Sequence, residues 1–288
     1  MAEKLSNFPK TVDLLKENQI GYHSSGHSIH PTIFEFTDVK SYEEAYQTSL
    51  MRETAHIDPL TGAVEGSGGI EALRALFSKK QITAFRAPGY CWSPPHLEAL
   101  KTLGITYDFS TNISAKLIGF HGITFYPFSI LPYNWQGGIR EHYYLQRITI
   151  ERAISVLTIH PSTMLNQLDW DLIYYHNYNS STTNPKDLSE PPARSPAEAA
   201  SILHKFDLLL KHLKTLQKMH LLEVTPKLKT TNNSLNPSSI NIANYYQQSI
   251  EWAEGFGYKP KYLYDHFVRF FLMNSQNRPT NRSNLPNS

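Results

Sequence analysis

The chain has 288 residues, enough for one large domain or for one domain with a small appendage, and 40% of them are hydrophobic, as in a globular protein. The 27 lysines and arginines nearly balance the 25 aspartates and glutamates, so a net charge of +2 gives no electrostatic reason to expect nucleic acid or an anionic membrane as a partner. Cys91 is the single cysteine, which excludes an internal disulfide and a cysteine-based zinc site.

Membrane insertion and export are not indicated by the sequence. No stretch reaches the roughly 20 uninterrupted apolar residues that span a bilayer, and the chain does not open with a basic segment followed by an apolar one. The sequence therefore predicts no transmembrane segment and, by default, a cytoplasmic protein. It gives no indication of the oligomeric state.

Helices and short apolar runs alternate from the start of the chain. Residues 10 to 19 predict a short helix, and residues 20 to 23 predict the end of a buried strand. Further helices are predicted over 42 to 54 and over 69 to 78. Between them lies the sequence DPLTGAVEGSGG, whose turn-forming residues predict a loop.

A β-α-β unit is predicted next. It consists of the apolar run ITAFRAP, a helix that begins at proline and ends at glycine in PPHLEALKTLG, and a second apolar run, ITYDFS. Two later strand candidates are residues 122 to 128 and 154 to 161. This alternation predicts an α/β fold.

The last third of the chain combines helical and polar segments. Residues 177 to 196 predict a loop rich in Asn, Ser, Thr and Pro, and residues 196 to 221 predict a helix whose apolar stripe should pack on the rest of the domain. Residues 225 to 239 predict a linker, followed by a helical segment to about residue 273 and a polar tail expected to be disordered.

The densest chemical signal is the sequence HSSGH at residues 23 to 27, with His30 shortly after it. Imidazoles this close together, just after an apolar run, suit a divalent metal ion such as zinc, which binds neutral imidazole nitrogens. A helix or a tight loop would bring His23 and His27 together. The alternative is a polar loop that happens to be rich in histidine.

Three other candidate functional residues end predicted strands. Arg86 lies in FRAPGY, where it could hold a carboxylate through a bidentate pair, although an ordinary structural salt bridge is the alternative. His160 ends the apolar run LTIH, and His176 ends the similar run IYYH. A histidine at such a position is more often structural than catalytic.

Taken in order, these motifs resemble those of the NodB-homology polysaccharide deacetylases, the fourth carbohydrate esterase family. HSSGH matches the family's metal-binding motif His-[Ser/Thr]-x-x-His, and Arg86-Ala87-Pro88 matches its Arg-x-Pro motif. The sequence LEALKTLGITYDFS is similar to the helix and strand that follow. The family's final motif, Leu-x-His at a strand end, is approximated before His160 or His176. The resemblance covers about residues 8 to 222.

The resemblance implies a fold and a division of the chain. Residues 1 to 224 would form a distorted, incomplete (β/α) barrel, a TIM-like barrel of the polysaccharide deacetylase type, and residues 225 to 288 would add a linker, a helical extension and a disordered tail. The family opens with a strand that bears an Asp-Asp pair, and no such pair precedes His23. The chain is therefore expected either to begin after that strand or to be a degenerate member, and to be a weak or inactive enzyme by itself.

Individual roles also follow from the resemblance. His23 and His27 would bind a divalent metal ion, expected to be zinc, which polarises an acetyl carbonyl and activates water. Arg86 would orient the carboxylate base, and a backbone N–H near Tyr90 would stabilise the oxyanion. His160 would protonate the departing sugar amine.

A carbohydrate substrate is implied as well. Tyr90, Trp92 and Trp135 are candidates for stacking on sugar rings, although aromatic residues are equally common in a core. Asp108 lies where an acidic partner could be sought. The predicted reaction is removal of N- or O-acetyl groups from a polysaccharide or amino sugar. The alternatives are an inactive carbohydrate-binding protein and a related hydrolase of non-peptide C–N bonds.

Overall fold

The computed structural model describes residues 5–24, 32–57, 61, 63–90, 92–110, 118–120, 122–126, 156, 159–168, 190–215, 242–255 and 257–276. Within these residues the strands are β1 (Gly21–Tyr22), β2 (Ala55–Ile57), β3 (Val64–Ser67), β4 (Ala84–Phe85), β5 (Tyr107–Asp108), β6 (Ile118–Phe120) and β7 (Ile123–Phe125). The helices are α1 (Pro9–Leu15), α2 (Ile33–Phe36), α3 (Tyr42–Thr54), α4 (Gly69–Leu76), α5 (Pro94–Thr102), α6 (Ser162–Leu165), α7 (Pro196–Thr215), α8 (Ile242–Gly255) and α9 (Leu263–Gln276). The predicted α/β class is confirmed.

The main sheet has the strand order β1-β4-β5-β7-β6. Strands β1, β4, β5 and β7 are parallel to one another, and β6 pairs antiparallel with β7 at one edge. Parallel neighbours need long connections, and helix α5 supplies the one between β4 and β5. Among the described strands this sheet is open.

The register of the parallel strands brings four residues into one row. Tyr22 is opposite Phe85, Phe85 is opposite Asp108, and Asp108 is opposite Phe125. All four side chains are buried. The residues that follow these strands therefore lie together at the carboxyl edge of the sheet, where α/β proteins commonly place their functional groups.

The main core joins the sheet to helices from both ends of the described chain. Leu97 and Leu100 of α5 pack in the same cluster as Phe85 of β4, and Phe267 and Phe270 of α9 belong to it as well. The predicted helical extension thus buries one apolar face in the same core as the sheet. It is divided into α8 and α9.

A second, smaller core lies between α6 and α7. Met164 of α6 packs with Ile202 and Leu209 of α7, and Phe206 lies partly buried beside them. The side chain of Arg194 donates from Nε to the carbonyl oxygen of Thr163 at 3.0 Å, which fixes the approach to α7. In the described residues the apolar face of the long helix therefore packs on α6.

The helix predicted over residues 42 to 54 has those same bounds as α3. The hydroxyl of Ser41 accepts a hydrogen bond from the backbone N–H of Glu44 at 3.3 Å, so the helix begins with a capped turn. None of the described helices is long and apolar enough to cross a membrane.

One loop prediction is wrong. The turn-rich sequence after α3 contains β3, which pairs antiparallel with β2 in a separate two-stranded ribbon. Most of β3 is exposed, so its sequence lacks the apolar alternation that marks a half-buried strand. Of the strand predicted over 154 to 161, residues 156 and 159 to 161 are described, and none of these is in a strand. The linker over 225 to 239 and most of the polar tail lie outside the described residues.

Candidate functional site

The two most specific sequence motifs meet at the carboxyl edge of the sheet. Since β1 and β4 are neighbours in register, His23 and Arg86 follow them at adjacent strand ends. Nδ1 of the His23 ring lies 2.5 Å from the backbone carbonyl oxygen of Arg86. A carbonyl oxygen only accepts, so Nδ1 carries the proton and the ring's lone pair is on Nε2. Metal-binding histidines commonly have this tautomer, held by the same kind of contact.

Arg86 is held in place by Tyr90. Its Nη2 donates a hydrogen bond to the Tyr90 hydroxyl at 2.6 Å, and the guanidinium carbon lies 4.6 Å from the centre of the Tyr90 ring. A cation over an aromatic face is attracted by the ring's negative potential. Among the described residues Nε of Arg86 is buried and has no hydrogen-bond partner. The half-buried guanidinium is thus fixed on one side by Tyr90 and retains a buried donor, Nε, without a partner among the described residues.

The turn after β4 has an unusual backbone. Gly89 and Tyr90 both have left-handed conformations, with φ of 59° and 63°. A Cβ at Gly89 would overlap the indole of Trp252, so helix α8 packs directly on this turn. The backbone N–H of Tyr90 already donates to the carbonyl oxygen of Ala87 at 3.1 Å. The expected oxyanion donor near Tyr90 is therefore not this N–H in the observed conformation.

A fully buried carboxylate, Glu53, lies beneath the His23 turn. It lies in the last turn of α3 and accepts a hydrogen bond at Oε1 from the Ser24 hydroxyl at 2.7 Å. The Tyr22 hydroxyl donates to Oε2, and Nε2 of the buried His96 ring donates to Oε1. Sequence analysis missed this cluster because a glutamate within a polar helix is typical of an exposed face. Its one sequence signal was Ser24, within the histidine motif.

Gly69 makes room for this cluster at the start of α4. Its φ is +52°, and an added Cβ would overlap the backbone carbonyl oxygen of Glu53 and lie 2.8 Å from the Tyr22 hydroxyl. A side chain at position 69 would therefore displace the buried carboxylate or its donor.

A second buried carboxylate, Asp108, lies beneath the Arg86 turn. The backbone N–H of Ser110 donates to Oδ1 at 2.8 Å, and its hydroxyl donates to Oδ2 at 2.9 Å. The same hydroxyl accepts from the backbone N–H of Ala87 at 2.5 Å. Burial raises the pKa of Asp108 to about 7, although the hydrogen bonds from Ser110 oppose that rise. Asp108 supports the turn from inside, and its burial argues against direct contact with reacting atoms.

Trp92 is buried as well, with 2% of its surface exposed. Its ring centre lies 5.5 Å from that of Phe267, 5.9 Å from that of Phe270 and 6.0 Å from that of Phe125. An indole enclosed in this way offers no face to a sugar ring, so the packing corrects the expectation that Trp92 binds substrate. It belongs to the main core.

The predicted roles of four other residues are not tested by the structure. His27, Trp135 and His176 lie outside the described residues, and their roles stay predictions. His160 is described, and its carbonyl oxygen accepts a hydrogen bond from the Thr163 hydroxyl at 2.8 Å at the start of α6. Its role as a general acid also stays a prediction.

Of the two proposed metal ligands, His23 is the one that the structure describes. The ring is exposed, and its tautomer leaves a nitrogen lone pair of the kind that zinc binds. The other proposed ligand, His27, is outside the described residues. Within the described residues no group of three or more His, Cys, Asp or Glu side chains is arranged to hold a metal ion.

Comparison with known proteins finds no match for this chain among protein-family models, curated proteins or solved structures at a significant level. Its function must be argued from its own residues.

Proposed function

We propose that this chain is a metal-dependent hydrolase that removes acetyl groups from the nitrogen or oxygen of a polysaccharide or amino sugar, on a barrel of the polysaccharide deacetylase type. The observation that carries the proposal is the contact between the His23 ring and the backbone of Arg86, residues 63 positions apart. It joins the HSSGH motif to the Arg-x-Pro motif at one edge of the sheet.

His23 and His27 are the proposed ligands of a divalent metal ion, expected to be zinc. A bound ion supplies Lewis-acid polarisation of the acetyl carbonyl and activation of the attacking water. The carbonyl oxygen of Arg86 keeps the His23 ring in one orientation and in one tautomer. The strand end thus holds the His23 imidazole in a tautomer of the kind that metal ions bind.

Arg86 is proposed to orient a carboxylate general base, although the Asp-Asp pair that supplies this base in the resembled family is not found in the sequence before His23. Its guanidinium has a donor nitrogen without a partner among the described residues, and Tyr90 fixes its position. Planar pairing with a carboxylate is the interaction that arginine favours. A fixed cation at this edge would also stabilise negative charge that develops on the reacting acetyl group.

The remaining proposed roles are binding of the sugar and protonation of its leaving amine. Tyr90 is half-buried at the turn, so part of its surface is available for contact with a sugar ring. Trp135 is the second proposed stacking residue. His160, or else His176, is proposed to protonate the departing amine, because an amine anion is a poor leaving group without a proton.

The test is acetate release by the zinc- or cobalt-loaded chain from chitin oligosaccharides, acetylated xylan and peptidoglycan fragments. Formate is added in parallel, because a small carboxylate can replace a missing general base. We expect slow release from at least one sugar, faster with formate, and a loss of about 10²-fold or more in Arg86→Met. Arg74→Met, which removes a half-buried arginine from α4, is the matched control.

The other outcomes separate the alternatives. Sugar binding without acetate release under any condition would favour a carbohydrate-binding protein. Hydrolysis of small amides, with no release from sugars, would favour an enzyme for other C–N bonds. Equal rates for Arg86→Met and the parent would return Arg86 to a structural role.

A further inference from the structure

We infer that Glu53 is the positioning residue of the proposed metal site: it holds the turn that carries His23 from the buried side of the sheet, through the hydroxyl of Ser24. This inference rests on the proposed function, since it assigns to Glu53 the task of holding His23 and Ser24, the first two residues of the HSSGH motif, in their observed positions.

The contact of Glu53 with Ser24 lies next to the proposed metal ligand. Ser24 directly follows His23, and its buried hydroxyl donates to Oε1 of Glu53 at 2.7 Å. His23 itself is held by the carbonyl oxygen of Arg86. Two consecutive residues of the motif are therefore anchored to two different elements, one to the strand end of β4 and one to the end of α3. Such a turn has little freedom to rotate the imidazole.

Three hydrogen-bond donors converge on the Glu53 carboxylate. Its oxygens accept hydrogen bonds from Tyr22, from Ser24 and from His96, so β1, the histidine motif and α5 are joined through one carboxylate. Burial of a carboxylate is costly unless donors surround it. Three donors from two separate segments, one at the end of β1 and one in α5, satisfy that requirement only when those segments have the observed arrangement. The carboxylate thus favours this arrangement over others.

The burial of Glu53 is consistent with a positioning role and not with a catalytic one. The side chains of Glu53 and His96 are fully buried, so they touch neither solvent nor a bound substrate. An effect of Glu53 on the site must act through Ser24 and Tyr22. In metal sites, residues that orient the ligands typically change metal affinity by about 10–100-fold when they are replaced.

The experiment measures the dissociation constant of cobalt by dye competition, together with the visible absorption of bound cobalt. The variants are Glu53→Gln, Ser24→Ala and Ser24→Thr, and Ser49→Ala is the control. Ser49 is one helical turn before Glu53 in α3, and its buried hydroxyl donates to the carbonyl oxygen of Ala45 at 2.8 Å. The control removes a buried hydroxyl from that helix without touching the motif.

We expect Glu53→Gln and Ser24→Ala to weaken cobalt binding by about 10-fold or more and to alter the absorption spectrum. Ser24→Thr should restore both, since threonine retains the hydroxyl, and Ser49→Ala should match the parent. If Glu53→Gln does not fold, the comparison of cobalt affinity between Ser24→Ala and Ser24→Thr tests the inference.

Two contrary results have different meanings. Cobalt affinity in Ser24→Ala equal to that of the parent, or reduced no more than in Ser49→Ala, would overturn this inference and leave the proposed function standing. A parent chain that binds no cobalt would contradict the proposed function, and the role of Glu53 with it.

Discussion

Glu53 and Asp108 are both buried carboxylates beneath turns at the carboxyl edge of the sheet, but their donors come from different places. Glu53 accepts from three side chains of two separate segments: Tyr22 and Ser24, in and just after β1, and His96 of α5. Asp108 accepts two hydrogen bonds from one residue, Ser110, two positions along the chain. The first carboxylate joins distant parts of the fold, whereas the second stabilises a local turn.

The difference shows how burial and hydrogen-bond donors have opposite effects on the charged form of a carboxylate. Beneath the Arg86 turn burial dominates, and it raises the pKa of Asp108 to about 7 despite two hydrogen bonds. Beneath the His23 turn a third donor from a distant helix is added, and the cluster extends across the sheet edge. We therefore expect Glu53 to matter most for stability at neutral pH and Asp108 to matter for its dependence on pH.

The largest effect is expected for Glu53→Ala. It removes the acceptor of two hydroxyls and one ring N–H, and a buried donor left without a partner costs about 1–3 kcal/mol. Because the three losses share one site, we expect a fall of about 3–5 kcal/mol in the free energy of unfolding, measured by urea denaturation at pH 8. Asp108→Ala should cost less under the same conditions. A larger loss for Asp108→Ala would reverse the comparison.

The next largest effect is a pH dependence of the free energy of unfolding, caused by the titration of Asp108. Its pKa is raised from 3.8 to about 7 in the folded protein, so the folded state holds this proton more tightly than the unfolded state. The resulting stability is present in full below about pH 4 and is lost as the pH rises to about 7. A shift of this size corresponds to roughly 4 kcal/mol.

Asp108→Asn should lack this contribution, because an amide does not titrate. The measurement is the free energy of unfolding of the parent minus that of Asp108→Asn between pH 4.5 and pH 8. We expect this difference to fall as the pH rises. A difference that stays constant or rises would show that the carboxylate is not held protonated by burial.

A smaller loss of stability is expected for Gly69→Ala, because residue 69 contacts the Glu53 cluster without belonging to it. The added Cβ overlaps the backbone of Glu53, and Gly66→Ala is the matched control, because Gly66 has a φ of +58° with nothing within 4 Å of an added Cβ. Left-handed strain alone costs about 1–2 kcal/mol, and overpacking adds about 1–3 kcal/mol. Thermal melting should therefore show a clearly lower Tm for Gly69→Ala than for Gly66→Ala, whereas equal values would mean that the cluster moves aside without cost.

The smallest loss of stability is expected for Tyr90→Phe, in the Arg86 turn. It removes the hydroxyl that accepts from Arg86 and keeps the ring under the guanidinium. Loss of one such hydrogen bond to a charged group should cost about 1–2 kcal/mol. Tyr46→Phe removes a hydroxyl that bonds the neutral Thr102 at 3.0 Å on the surface and should cost less. Equal urea midpoints for the two variants would show that Arg86 does not depend on Tyr90.

Much of the fold was predictable because its signals are local. The cap at Ser41 and the sequence after it give α3 its bounds, and proline and glycine mark the ends of the helix that became α5. The short ribbon of β2 and β3 was not predictable, since most of β3 is exposed and its residues are typical of turns.

The site was predictable only in part, for a similar reason. His23 and Arg86 stand out because their motifs are contiguous in sequence, and the structure brings them into contact. Glu53 and His96 come from helices whose sequences give no sign of burial, so their pairing depends on the tertiary fold. Trp92 was expected at the site because an aromatic residue in a turn carries no signal of the face it will occupy.

The central claim is that the histidine motif binds a metal ion, and the most direct test is the cobalt content of the purified, cobalt-equilibrated chain. We expect about one ion per chain in the parent, and a steep fall in His23→Ala and in His27→Ala, because two imidazoles are the proposed protein ligands. His204→Ala, which removes an exposed histidine from α7, should retain the metal content of the parent. Equal cobalt content in the parent, His23→Ala and His27→Ala would contradict the account.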